Sequence, residues 1–392
     1  MARRARIAVI GAGIGGLAAA CALRDKGFEV SVYERATELG EVGAGLQLGP
    51  NAVKVLRALG IEERLRPLAF EPTNIVSVAS DDAHLRFREP LKSVAAAQFG
   101  APYLTAHRAD VHALLLARLP HDTIHLHAQC TGTSSSDGAA VATFADGRAI
   151  EADIVVGADG INSAVRESLF GVQPARYTQQ MAWRCIVPID RVPTDIGPDR
   201  SVRIGRDEYV GWIGPDGHVI CYPIRGGELY NIFAGHVSED WVEESWSVPS
   251  SVDELVAGYR GWNEALLKML GHVEHCFKWG IRDRDPLSHW TKGRVTLLGD
   301  AAHPMMPTLA QGAAITLEDA YALARNLARH DDPRNGLTAY EAERLPRASK
   351  VQLQARQQFQ NNRKVPAPPP LSRDWIFAHD ATSEPLATVE TS

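Results

Sequence analysis

The sequence predicts an α/β architecture: a doubly wound parallel sheet, interrupted by an inserted, mostly antiparallel second domain and closed by C-terminal helices. Three observations carry this prediction. Residues 5–10 (ARIAVI) form an apolar, β-branched run that leads straight into the glycine turn GAGIGG. A helix-like stretch and a second short strand, EVSVY at 29–33, complete a βαβ unit. From about residue 175 to 240 the chain switches to short strands separated by turn residues.

Taken in order, Arg3, Arg4 and Arg6 ahead of an apolar run could pass for a secretory leader. The turn glycines and the strand that follows favour a strand, a turn and a helix over 14–26 instead. Residues 50–60 and 107–118 are predicted helical. FADGRAIEADIVVGADG reads as a hairpin followed by a buried strand at 154–156. MAWRCIVPID, SVRIGR, YVGWI, HVICYPI and YNIFAGHV are predicted strands, with hairpin turns at Asp216-Gly217 and Gly226-Gly227. Residues 252–270 are predicted helical, and GRVTLLGD at 293–300 is a further buried strand. Helices are expected over 312–328 and 335–360, then a stiff linker, PAPPP at 366–370, and a disordered last dozen residues. The expected division is 1–174 and 286–362 for the parallel domain, 175–285 for the insert, and 363–392 for linker and tail.

A chain of 392 residues suits two interlocked domains. Lys plus Arg is 41 and Asp plus Glu is 47, a balance of −6, which argues against nucleic acid as a partner. No run of eighteen apolar residues is present, so no membrane span is expected. The five cysteines are odd in number and form no CxxC pair, which fits neither a disulfide framework nor a zinc site and favours the cytoplasm.

Gly11-x-Gly13-x-x-Gly16 is a weak signal alone. Here a buried strand precedes it, a helix follows it, and Glu34 closes the next strand. Gly11 permits the tight turn. Gly13 lets the backbone approach a pyrophosphate at the helix N-terminus, and Glu34 is placed to grip ribose hydroxyls. A carboxylate there repels a 2′-phosphate, so this Rossmann-like site calls for FAD or NAD rather than NADP. Downstream, Asp300 ends a buried strand, and a helix opens at Gly312, Ala313 and Ala314 after Gln311. That pattern suits ribityl binding by Asp300 and a helix dipole aimed at a flavin. It also suits an ordinary helix cap, and both readings stand at this point.

On a strand, His218, Ile220 and Tyr222 share one face, the outer two roughly 13 Å apart. They could flank a single phenolic ring, with the histidine accepting its proton. A histidine and a tyrosine at strand ends are also commonly just hydrogen-bonded. His272 and His275 are spaced like metal ligands but lack further ligand groups, so no metal is expected. His303 could touch substrate or cap its loop. Trp183 is read as core, with Arg184 bordering the pocket.

Three segments together resemble the class A FAD-dependent aromatic hydroxylases: GAGIGG with Glu34-Arg35, GADGINSAVR at 157–166, and GDAAHP at 299–304. The likeness runs to about residue 360. It implies that Arg108 in HRAD contacts the flavin, and that Asp159, with Ser163 and Arg166, shapes the pyrophosphate site. It also implies that Asp300 holds the ribityl chain and that Pro304 lies beside the reactive edge of the ring. ELGEVGAGLQLGPNA at 38–52 and HVICYPIRGGELYN at 218–231 resemble the 3-hydroxybenzoate 6-hydroxylases, with salicylate and 6-hydroxynicotinate hydroxylases next. This places Gly45 and Leu46 against the cofactor and Gln47 near the substrate.

Gln47 stands where the 6-hydroxynicotinate enzymes tend to have histidine, and salicylate enzymes generally lack the Tyr222 equivalent. MMPTLAQGAA after GDAAHP is nevertheless closer to the salicylate and nicotinate types. DWIFAHDAT at 374–382 resembles the tail of these enzymes. The implied activity is insertion of one oxygen of O2 into an aromatic ring, with FAD reduced by NADH or NADPH. The expected partner is a small aromatic acid, and the enzyme is expected as a monomer or homodimer. The first choice of reaction is 3-hydroxybenzoate to 2,5-dihydroxybenzoate. Salicylate to catechol and 6-hydroxynicotinate hydroxylation are the alternatives. A flavin oxidase or reductase, and a non-catalytic flavin sensor, are the competing classes.

Overall fold

The computed structural model describes residues 5–40, 44–197, 202–239, 248–364 and 368–383. Of the last dozen residues, expected to be disordered, 384–392 lie outside these, as do 366 and 367 of the PAPPP linker.

The glycine turn sits where the sequence places it. Strand Arg6–Ile10 pairs in parallel with Glu29–Tyr33 on one side and Ile154–Gly157 on the other. Their apolar runs are buried because helices cover the sheet. Strand Val295–Leu297 joins in parallel beside Ile154–Gly157, so residues after the insert complete a six-stranded sheet begun at the N-terminus. Helix Ile14–Asp25 packs on helix Gly312–Arg329, which in turn packs on the 30-residue helix Pro333–Asn362.

The second sheet has eight strands. Its centre is the antiparallel series Cys276–Asp283, Arg176–Pro188, Leu229–Val237, Gly217–Ile224 and Tyr209–Gly214. Asn74–Ala79 adds to it in parallel, followed by Leu85–Pro90, so its strands are not confined to 175–285. One face packs on helices Val252–Gly258 and Glu264–Leu270 through Trp183, Trp212, Tyr230 and Tyr259. The other face looks toward the parallel sheet.

Two expectations are corrected. Residues 252–270 are two helices, not one. Gly261 takes φ +89°, and the Asn263 side chain accepts from the Ala265 N–H to start the second helix. SVRIGR forms no ladder over its described residues: only an isolated bridge joins Arg203 to Asp195, and the Arg206 side chain instead ties to the carbonyls of Val192 and Asp190.

Candidate active site

A cleft of about 410 Å³ lies between the two sheets, within the usual range for small-ligand pockets. Its first wall is the glycine turn. Gly11 has φ +103°, and a Cβ there would lie 2.4 Å from the Ala158 carbonyl oxygen. A Cβ on Gly16 would lie 1.9 Å from the Gly11 oxygen, so both glycines are demanded by the turn itself. Gly13 differs: it lines the cleft, and nothing lies within 4 Å of where its Cβ would be. Glu34 accepts the Ala12 N–H at 2.7 Å and the Ala36 N–H at 2.9 Å, which holds the turn against the strand end. Arg35 is exposed and does not line the cleft.

Helix Ile14–Asp25 starts at Gly13 with no side-chain cap and no acidic residue in its first turn. Helix Gly312–Arg329 also starts uncapped, with Gly312 and Ala313 on the cleft wall. Two unsatisfied sets of N–H groups thus face one space, a field suited to anionic groups. Asp300 and Pro304 line the same space, as do Gly45, Leu46 and Arg108. Gly45 donates to Asn231 Oδ1 at 2.5 Å, and a Cβ on it would collide with that side chain. The open face of Gly13, the two bare helix starts, and an acid between them fit an extended dinucleotide such as FAD.

The second wall is the sheet face. His218, Ile220 and Tyr222 all line it, as do Asn231 and Phe233 of the next strand, where Phe233 pairs with Ile220. His218 stacks on Phe233 with ring centroids 5.5 Å apart. Gly235, its cross-strand partner, leaves room for the imidazole, since a Cβ there would come within 2.8 Å of the ring. Burial pushes the His218 imidazole down to about 4. Tyr222 stacks on Tyr209 at 5.9 Å and 1°, and burial pushes both phenols well above their ordinary range. Gln47 accepts from the Tyr103 hydroxyl at 2.6 Å. The Arg184 guanidinium lies 3.9 Å from the Trp279 ring centroid.

Other sequence-predicted residues stand outside the cleft wall. His303 turns away: it is 1% exposed, its Nε2 meets Asp319, and its ring tilts against Trp290. Ala314 is buried in the helical core. Asp159 turns back to accept from Ser163 and from the Val165 N–H, leaving Gly160, Ile161 and Asn162 to line the cleft. Trp183 belongs to the far core, whereas its neighbour Arg184 reaches the cleft. Tyr209, Asn231 and Phe233 line the cleft without having been predicted, although alternation along YVGWI and YNIFAGHV points to them. Tyr103 and Arg373 carry no local signal.

Comparison with known proteins agrees with this geometry. The family model described as "FAD binding domain" matches residues 4–355. A 3-amino-4-hydroxybenzoate 2-monooxygenase of Streptomyces platensis is 39% identical, over 90% of this chain and 87% of its own. A 6-hydroxynicotinate 3-monooxygenase of Bordetella bronchiseptica is 38% identical over 98% of both chains. A 3-hydroxybenzoate 6-hydroxylase of Aquipseudomonas alcaligenes is 35% identical over 89% and 87%. Among solved structures, Klebsiella pneumoniae HpxO complexed with FAD and uric acid superposes with a TM-score of 0.82 at 26% identity, covering 92% of this chain and 89% of that one. A salicylate hydroxylase substrate complex gives 0.81 at 28% identity, over 96% of each.

Proposed function

This chain belongs to the FAD-binding-domain family of FAD-dependent aromatic monooxygenases, and within that chemistry we propose that it hydroxylates a small monocyclic phenolic acid, 3-hydroxybenzoate first. One observation carries the proposal: His218 and Tyr222, on one face of strand Gly217–Ile224, open into the same cleft as Gly13, Asp300, Pro304 and Gly312.

Bound FAD, reduced by NADH or NADPH, supplies the electrophilic oxygen from O2. The chain has three tasks. His218, neutral because it is buried, takes the phenol proton and leaves an electron-rich phenolate. Tyr222, Gln47 and the aromatic floor hold the ring. Ile213, Ile220, Phe233 and Trp279 keep water from the reacting edge. A phenolate directs electrophiles to its ortho and para carbons. A hydroxyl held at His218 suits attack at the para carbon, giving 2,5-dihydroxybenzoate.

A second substrate, 6-hydroxynicotinate, is favoured by the relative whose match runs over 98% of both chains, tail included. Gln47, where those enzymes tend to have histidine, weighs against it. The test is to supply each acid with reduced nicotinamide cofactor and O2 and to identify products. 2,5-Dihydroxybenzoate from 3-hydroxybenzoate is expected. Catechol from salicylate, or hydroxylated 6-hydroxynicotinate, with 3-hydroxybenzoate inert, would reverse the ranking.

A further inference from the structure

Asn231 joins the two walls of the cleft. On strand Leu229–Val237, Tyr230, Ile232 and Ala234 belong to the core behind the sheet, so alternation turns Asn231 and Phe233 toward the cleft. The cross-strand partner of Asn231 is Tyr222. From the opposite wall the Gly45 N–H donates to Asn231 Oδ1 at 2.5 Å, and the Asn231 side chain fills the space that a Cβ on Gly45 would need. At 3% exposure, Asn231 is held on all sides but the cleft.

That one bond orients the amide. A backbone N–H only donates, so the atom facing it is the oxygen, and the other branch of the amide is the NH2 group. Asn231 Nδ2 donates to no protein group among the described residues. An acceptor for Gly45 alone does not call for an amide, because a carboxylate would accept the same N–H more strongly. The amide adds a donor and avoids a negative charge. The cleft wall shares that bias. Arg108, Arg184, Arg282 and Arg373 line it against one acid, Asp300, among the described residues, in a chain whose net charge is −6.

We propose that Asn231 is a substrate ligand that selects an anionic ring substituent: its fixed amide NH2 donates to the substrate carboxylate at the Tyr222 end of the sheet. The role rests on the phenolic-acid reading above. His218 pairs with Gly235, which lies further along the strand that carries Asn231, roughly 13 Å away. A phenol hydroxyl at His218 meets an acceptor for its proton. The carboxylate then falls toward the Tyr222 end, where it meets a donor that cannot act as an acceptor.

Benzoate, benzamide and phenol are the probes. Each is titrated against the flavin absorbance of oxidised holoenzyme, for the wild type, Asn231→Leu and Asn231→Asp, at matched FAD content. Asn231→Leu is similar in size and has no donor. Asn231→Asp keeps an acceptor for the Gly45 N–H and replaces the donor by a carboxylate. The benzoate dissociation constant is expected to rise about tenfold or more in both, with phenol held within about twofold. Benzamide, whose NH2 can donate to the new carboxylate, should gain on benzoate by about tenfold or more in Asn231→Asp. Equal weakening of all three probes marks a structural residue and overturns the role. A benzoate loss confined to Asn231→Asp is repulsion by the new charge and overturns the donor as well. If Asn231→Leu does not fold, the benzamide-to-benzoate ratio of Asn231→Asp decides, and a ratio equal to the wild type's overturns the role. Folded variants that take up no FAD would assign the amide to the cofactor instead. A wild type that hydroxylates hydroxybenzoates while Asn231→Leu binds benzoate normally overturns the Asn231 role alone. A wild type inert toward every hydroxybenzoate overturns the substrate reading and this role with it.

Discussion

At His218, packing and chemistry meet in one side chain. Phe233 stacks on the ring, Gly235 leaves room for it, and burial keeps it neutral. Because its pKa is lowered from 6.5 to about 4, the neutral imidazole proposed as the base persists as pH falls through 6.5 and is lost only near 4. The acid limb of kcat/KM is therefore expected well below 6.5; a limb centred at 6.5 contradicts the assignment. His218→Asn should keep FAD and lose roughly 10²- to 10⁴-fold in hydroxylation rate, the span of general-base contributions. Tyr222→Phe should weaken substrate binding by about 1 kcal/mol or more without loss of flavin, read as a KM increase. The His218 and Tyr222 pair was legible because strand alternation has period two. Their companion Trp279 was not, because the register of a separate strand sets it beside Arg184. His303 misled for a related reason: its place beside Pro304 in sequence says nothing of Asp319, which holds its ring.

Among elements, the glycine turn makes a sharp distinction between residues of one motif. Gly16→Ala should prevent folding, since its Cβ would meet backbone at 1.9 Å. Gly13→Val should fold, because the space before it is open, yet yield colourless protein if, as proposed, that space takes the cofactor. Circular dichroism and flavin absorbance of the two purified variants separate these outcomes; a yellow Gly13→Val protein would count against the cradle. The helices behind the cleft depend on buried charge. Arg344, 0% exposed, pairs with Glu318 and Asp319 at 2.8 Å each, joining helix Pro333–Asn362 to helix Gly312–Arg329. Burial alone would raise the Glu318 carboxyl, but Arg344 and Arg347 hold it at about 2. Its contribution is present above the ordinary carboxylate range and is lost as pH falls toward 2. Arg344→Ala should cost about 3–5 kcal/mol in chemical denaturation, since it leaves two buried carboxylates without their main partner. The long helices and buried strands were legible from their apolar runs. The break within 252–270 was not, because the helical pattern continues on both sides of Gly261.

For the whole molecule, the sequence exposes the discontinuity well: strand Val295–Leu297 returns to the N-terminal sheet after the insert. Less visible is that Leu85–Pro90 and Asn74–Ala79 extend the second sheet, or that the tail completes the cleft, since both depend on chain segments meeting far from their sequence neighbours. Among the described residues no helix is long and apolar enough to cross a membrane. The proposed function turns on one point, that the cleft between the two sheets holds a phenolic ring where flavin chemistry delivers oxygen. The direct test is turnover of 3-hydroxybenzoate by the holoenzyme under isotopically heavy O2, with mass spectrometry of the product. The expected product is 2,5-dihydroxybenzoate carrying one heavy oxygen atom for each reduced nicotinamide consumed. Nicotinamide oxidation with no heavy oxygen in any ring, whichever phenolic acid is supplied, would contradict it.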